Sequence, residues 1–131
     1  MKPIERVTAA LQHKEPDRVP VYPILSGVTR KLIGATYEKW STDAETCADA
    51  LIKAQEKFDL DCIVTLIDLS LEADAWNLAT IFPSNDAAHP DYSNPVIKDI
   101  DEYSKIKKVD YKTSKRMMMH MRPFQSSLLT W

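Results

Sequence analysis

Seven consecutive residues, Cys62-Ile63-Val64-Thr65-Leu66-Ile67-Asp68, constrain this chain more than any other stretch. Five of them are apolar and one is threonine, with no polar alternation. Such a run reads as a strand buried on both faces, the kind found in parallel sheets. It ends on a carboxylate. In barrels and open α/β sheets the chemistry gathers at the C-terminal ends of strands. Asp68 is therefore the candidate catalytic residue, and its alternative is structural, a cap for the helix expected from Ser70.

The flanking segments fit an α/β chain. Residues 3–12 read as a helix, with Pro3 in the first turn and Ile4, Val7 and Leu11 at helical spacing. Pro16, Pro20 and Pro23 forbid a helix over 13–25, which reads as a turn followed by an extended, mostly buried segment. Ser26 is a candidate cap for a short helix closed by Gly34. The clearest helix spans about 43–58, with Thr42 and Glu45 at capping-box spacing and a stripe of Ala44, Cys47, Ala48, Leu51, Ile52 and Phe58. A helix feeding directly into a buried strand is an α/β signature.

Beyond the strand, residues 70–76 read as a short helix stopped at Asn77. Residues 78–82 form a candidate strand, 83–95 a polar loop and 95–97 a brief return strand. Asp99 can cap a turn over 100–107, and Thr113 a helix from about 114 that carries Met117, Met118, Met119 and Met121. The methionines read as core-facing helix surface. Lys105, Lys107, Lys108, Lys112, Lys115 and Arg116 read as a solvated basic face. Glu72 and Asp74 are expected on the solvated side of their helix.

Composition narrows the function. The net charge of -2, from 17 basic and 19 acidic residues, predicts no nucleic-acid partner. No apolar stretch approaches the ~20 residues that cross a bilayer, and the N-terminal residues lack a signal peptide's apolar core, so the expected location is cytoplasmic. With only Gly27 and Gly34, the chain has no glycine-rich loop for a nucleotide. Cys47 and Cys62 read as small buried hydrophobes in a reducing compartment. His13, His89 and His120 lack metal-ligand spacing.

A resemblance gathers these pieces. Glu5-Arg6-Val7-x-x-Ala10-Leu11, Pro16-Asp17-Arg18-Val19-Pro20-Val21, Trp40-Ser41-Thr42-Asp43 and the 54–61 passage Ala-Gln-Glu-Lys-Phe-Asp-Leu-Asp occur in that order. They are followed by Asp68-Leu69-Ser70-Leu71-Glu72-Ala73, by Pro95-Val96-Ile97-Lys98-Asp99, and by Lys105-Ile106. In order and spacing they resemble the start of the uroporphyrinogen decarboxylase superfamily, nearer its methylcobamide:coenzyme M and related corrinoid methyltransferases.

The resemblance implies the N-terminal portion of a (β/α)8 TIM barrel with preceding helices, its site at the mouth. About 250 residues make such a barrel, so residues 1–121 are expected to form a truncated part of one and 122–131 a tail outside the family pattern. In the decarboxylase branch, an aspartate matching Asp68 holds the pyrrole N–H groups, and an Arg-Gln-Ala-Gly-Arg segment binds substrate carboxylates. Here that place reads Leu25-Ser26-Gly27-Val28-Thr29, with Arg30 one position away. The methyltransferase branch uses zinc held by later His and Cys ligands to activate a thiol. No His-x-Cys pair occurs in this sequence.

The expected whole-protein activity is therefore methyl transfer from a corrinoid to a thiol such as coenzyme M. A corrinoid protein and a small-molecule substrate are its implied partners. The fragment itself is expected to hold no metal or cofactor and to be inactive. Tyr22 and Trp40 are the candidate substrate-lining residues. Open sheet edges predict oligomerisation or aggregation. The alternatives are uroporphyrinogen decarboxylase itself, in tetrapyrrole biosynthesis, and a non-catalytic α/β binding module that uses the 83–97 loop as its contact surface.

Overall fold

The structure, a computed structural model, describes residues 1–65 and 67–121. Leu66 and the 122–131 segment read as a tail therefore lie outside the described residues. Helix α1 spans Pro3–Leu11. Pro3 opens it at no hydrogen-bonding cost, and Glu5 accepts a bond from the Lys2 backbone N–H at 2.8 Å. Its apolar stripe does not pack as expected: Ile4 is 69% and Leu11 77% exposed, and the buried residue is Arg6.

The 13–25 segment carries no regular structure, as its prolines require. It is not buried, though. Val19, Val21, Tyr22 and Ile24 are exposed, because no described element packs across them. A 3-10 turn over Ser26–Leu32 follows and ends at Gly34 with φ 67°. Ser26 does not cap it; its hydroxyl donates to the Ile67 carbonyl instead, at 2.7 Å. Gly27 is required for packing, since a Cβ there would stand 2.3 Å from Tyr37 Cε2.

Helices α2, Tyr37–Thr42, and α3, Ala44–Phe58, meet at Asp43. Asp43, not Thr42, caps α3, accepting from the Thr46 N–H at 2.8 Å. Cys47, Ala50, Leu51 and Ala54 form the buried face of α3, while Phe58 is exposed. Asp59 then closes the helix in the left-handed region at φ 49°. The apolar run after it is not a strand among the described residues. Residues 62–65 are half-buried and pair with no neighbour, and only Ile67 and Asp68 go fully inside.

Helix α4, Leu71–Ala75, stops at Asn77 with φ 65°, as its side chain allows. Strand β1, Thr80–Ile81, pairs antiparallel with β2, His89–Pro90. The expected return strand at 95–97 does not form, because the hairpin closes earlier inside the polar loop. Asp99 begins a 3-10 turn over Ile100–Lys105, accepting from the Ile100 N–H at 2.6 Å. Helix α5, Lys115–Met121, starts at Ser114 rather than Thr113, the Ser114 hydroxyl accepting from the Met117 N–H at 3.3 Å.

The result is a mixed helix-and-strand chain with one small sheet. Its core gathers Tyr37 and Trp40 from α2, Cys47 and Leu51 from α3, Ile67, Ala88 and Met119. Met119 thus packs inward, as the methionine run predicts. Among the described residues, no helix is long and apolar enough to cross a membrane.

Candidate functional site

Asp68 follows Ile67 into the core, and four donors converge on its carboxylate. Oδ1 accepts from the Ser70 backbone N–H at 2.9 Å and from the Ser70 hydroxyl at 2.5 Å. Oδ2 accepts from the Ser41 hydroxyl at 2.8 Å and from Nη2 of Arg116. Oδ1 thus holds the turn leading into α4, but it does not cap that helix: the cap position is Ser70, with no side-chain cap bond. An ionised carboxylate offers about four acceptor positions, and here all are engaged.

Arg116 is the residue the sequence hides. It is not part of a solvated face: 6% of it is exposed. Besides Asp68 it donates to the Ser41 hydroxyl at 2.7 Å, the Thr80 hydroxyl at 3.2 Å and the Ser70 hydroxyl at 3.3 Å. Its guanidinium lies 5.6 Å from the centre of the Phe82 ring. Burying both charges is compensated by this pairing and by the hydroxyls that bridge them. The arginine thus joins α2, the Asp68 turn, β1 and α5.

Around Asp68 the backbone is fixed too. The Ile67 carbonyl accepts from Ser26 and, at 3.3 Å, from the Tyr37 hydroxyl. Burial, then the nearby Asp68 charge, pushes the Tyr37 hydroxyl up from its ordinary value. On its other side Asp68 borders a recess of about 340 Å³, whose walls include Ile67, Leu71, Tyr111, Met117 and Met121.

Tyr22 and Trp40 do not meet at this site. Tyr22 is 62% exposed, whereas Trp40 is fully buried. Trp40 packs edge-on to Tyr37 with ring centres 5.5 Å apart. Its contribution is to anchor α2, which carries Ser41 to Asp68. Glu72 is exposed beside the recess, as expected, while Asp74 is half-buried.

A second charged cluster lies at the other end of the apolar run. Arg6 grips Asp17 with two bonds, at 2.6 and 2.8 Å, and reaches Asp61 with Nη1. Arg18 meets the far oxygen of Asp61 at 2.5 Å, and the Val21 N–H donates to the same oxygen at 2.8 Å. Arg6 and the N-terminal ammonium hold Asp17 well below the usual carboxylate range. Burial alone would raise Asp61, but the Val21 N–H and the two arginines outweigh it and lower it. Three stretches that carry the family resemblance are thus one ion cluster: Glu5-Arg6-Val7, the 16–21 passage and the Asp59–Asp61 turn.

The described residues do not fit the zinc that the resemblance implies. No three His, Cys, Asp or Glu side chains among them lie close enough to hold a metal. Burial and the Asp43 charge push the Cys47 thiol up to about 12, away from a ligating thiolate. Cys62 is half-buried, His89 stacks on Tyr92, and the His120 side chain lies outside the described residues. The recess beside Asp68 sits near the low end of small-molecule pockets, roughly 300–1,000 Å³.

The family model described as Uroporphyrinogen decarboxylase (URO-D) matches residues 2–124. No curated protein and no solved structure matches the chain. The matched span takes in both charged clusters and the turn that holds Asp68, and the chain belongs to the uroporphyrinogen decarboxylase family.

Proposed function

We propose that the chain is the N-terminal portion of a (β/α)8 barrel enzyme, nearer the corrinoid methyltransferases of its family than the decarboxylases. The observation that carries the branch is at residues 25–30. The segment that supplies two carboxylate-binding arginines in a decarboxylase offers Arg30 alone here. Arg30 is half-buried and already engaged: Nη1 donates to the Gly27 carbonyl at 2.9 Å and the guanidinium lies 5.2 Å from the Tyr37 ring centre. Bidentate grip on a polycarboxylate needs a free, correctly placed fork.

The barrel reading is supported by the unpaired apolar segment 62–65 and by exposed apolar side chains such as Val19 and Leu69, 80% and 85% exposed. These are surfaces that further barrel elements cover. In the whole enzyme, methyl transfer from a corrinoid to a thiol is the proposed reaction, in a cytoplasmic protein. This portion contributes Asp68 at the end of the apolar run, held by Ser41, Ser70 and Arg116, and on its own it is inactive.

Chimeras test the proposal. Residues 2–124 replace the matching segment in a methylcobamide:coenzyme M methyltransferase and, separately, in a uroporphyrinogen decarboxylase. Coenzyme M methylation in the first, with no decarboxylation in the second, is expected. Decarboxylation in the second alone refutes the branch. Thiol methylation by the isolated chain refutes its inactivity.

A further inference from the structure

We infer that Arg116 makes α5 a latch on Asp68, closing the carboxylate and its recess while docked and exposing both when the helix lifts away. The inference rests on Asp68 being a site residue, but not on the chemistry proposed for the whole enzyme. Of the partners of Asp68, Ser70 lies two positions on, and Ser41 is fixed on α2 beside the buried Trp40. Arg116 differs. It arrives from 48 positions away on a helix of seven residues.

Several features make that attachment releasable. Arg116 meets the carboxylate through Nη2 alone, without the paired bonds by which Arg6 grips Asp17. Its buried Nε has no hydrogen-bond acceptor among the described residues. Of the α5 side chains, Met119 joins the core, whereas Met117 and Met118 are half-buried and Met121 is exposed. Among the described residues the helix is thus anchored through Met119 and through the single guanidinium of Arg116, which bonds Asp68, Ser41, Ser70 and Thr80.

The same helix walls the recess. Met117 and Met121 of α5, with Tyr111 just before it, face Ile67 and Leu71 across the opening. Lifting α5 therefore widens the recess and frees one acceptor position on Oδ2 of Asp68, the other staying with Ser41, in one movement. A group that takes the place of Arg116 must bring a hydrogen-bond donor to that oxygen.

Native-state hydrogen exchange on the full chain tests the latch. In the wild-type chain at low urea, the amides of 115–121 are expected to exchange through a local opening that urea barely affects, while α3 opens only globally. Arg116→Met and Asp68→Asn are expected to speed exchange over 115–121 by about tenfold or more through that same urea-insensitive opening, and over α3 only as far as global stability falls, with Arg116→Lys between. Exchange of α5 and α3 with the same urea dependence in the wild-type chain overturns the inference, whether or not the variants fold. So does unchanged α5 protection in the variants. Benzamidinium, a planar amidinium on an apolar ring, supplies a third arm: it should loosen 115–121 in the wild-type chain and not in Asp68→Asn. The chimera assays report separately on the enzyme reading, so either idea can fail alone.

Discussion

Arg116 and Asp68 face each other with almost no water, and the cost of separating them belongs to that burial. Removing one member of such a pair leaves the other charged and uncompensated, at roughly 3–5 kcal/mol. Arg116→Met should therefore lower the unfolding free energy by about that amount, and the double variant Arg116→Met/Asp68→Leu should recover much of it. Urea titrations of the wild-type chain, the single variants Arg116→Met and Asp68→Leu, and the double variant measure this. Asp68 was legible in the sequence because it closes an apolar run. Arg116 was not, because its partner lies 48 residues upstream and its neighbours Lys112 and Lys115 are ordinary surface charges. A second test at this scale concerns sulfur. With its thiol pushed up to about 12, Cys47 should react with a thiol reagent at neutral pH far more slowly than Cys62. Equal rates would show that the α3 face opens readily.

Short elements here are fixed by caps and close contacts more than by stripes. Asp43→Ala should destabilise α3 by about 0.5–2 kcal/mol, because the Thr46 N–H loses its acceptor. Thr42→Ala should cost less, since the Thr42 hydroxyl donates only to the exposed Glu38 carbonyl. Thermal unfolding of the two variants decides between the two caps. Gly27→Ala should cost roughly 1–3 kcal/mol, as the Tyr37 ring must move to admit a Cβ. The α1, α3 and α4 ranges could be read from sequence because proline, spacing and a left-handed stop are local signals. The strand over 62–68 could not be verified so simply. Its apolar character predicts burial between neighbours, and pairing requires neighbouring strands that no local pattern supplies. Of the hairpin, β1 was legible within the 78–82 segment, whereas β2 was not, because two residues, one of them a proline, are too few to show alternation.

At the scale of the whole chain, the ion cluster of Arg6, Asp17, Arg18 and Asp61 ties the beginning of the molecule to the end of α3. Both aspartates are held below their ordinary range, so the folded state binds their protons less readily than the unfolded chain does. The stability they add is fully present above the unfolded carboxylate value of about 3.9 and is lost as the pH falls through their lower folded values. Acid unfolding should thus steepen below about pH 4, and Asp17→Asn should flatten that dependence. Circular dichroism against pH measures it. The exposed apolar side chains predict dye binding and concentration-dependent association of the isolated chain, which light scattering detects. Family membership was legible from ordered fragments of sequence, but why those fragments belong together was not. Arg6 waits for a partner 55 positions later. During synthesis on a ribosome, then, the first helix can pair with Asp17 early, but it cannot be tied to the end of α3 until residue 61 has cleared the exit tunnel.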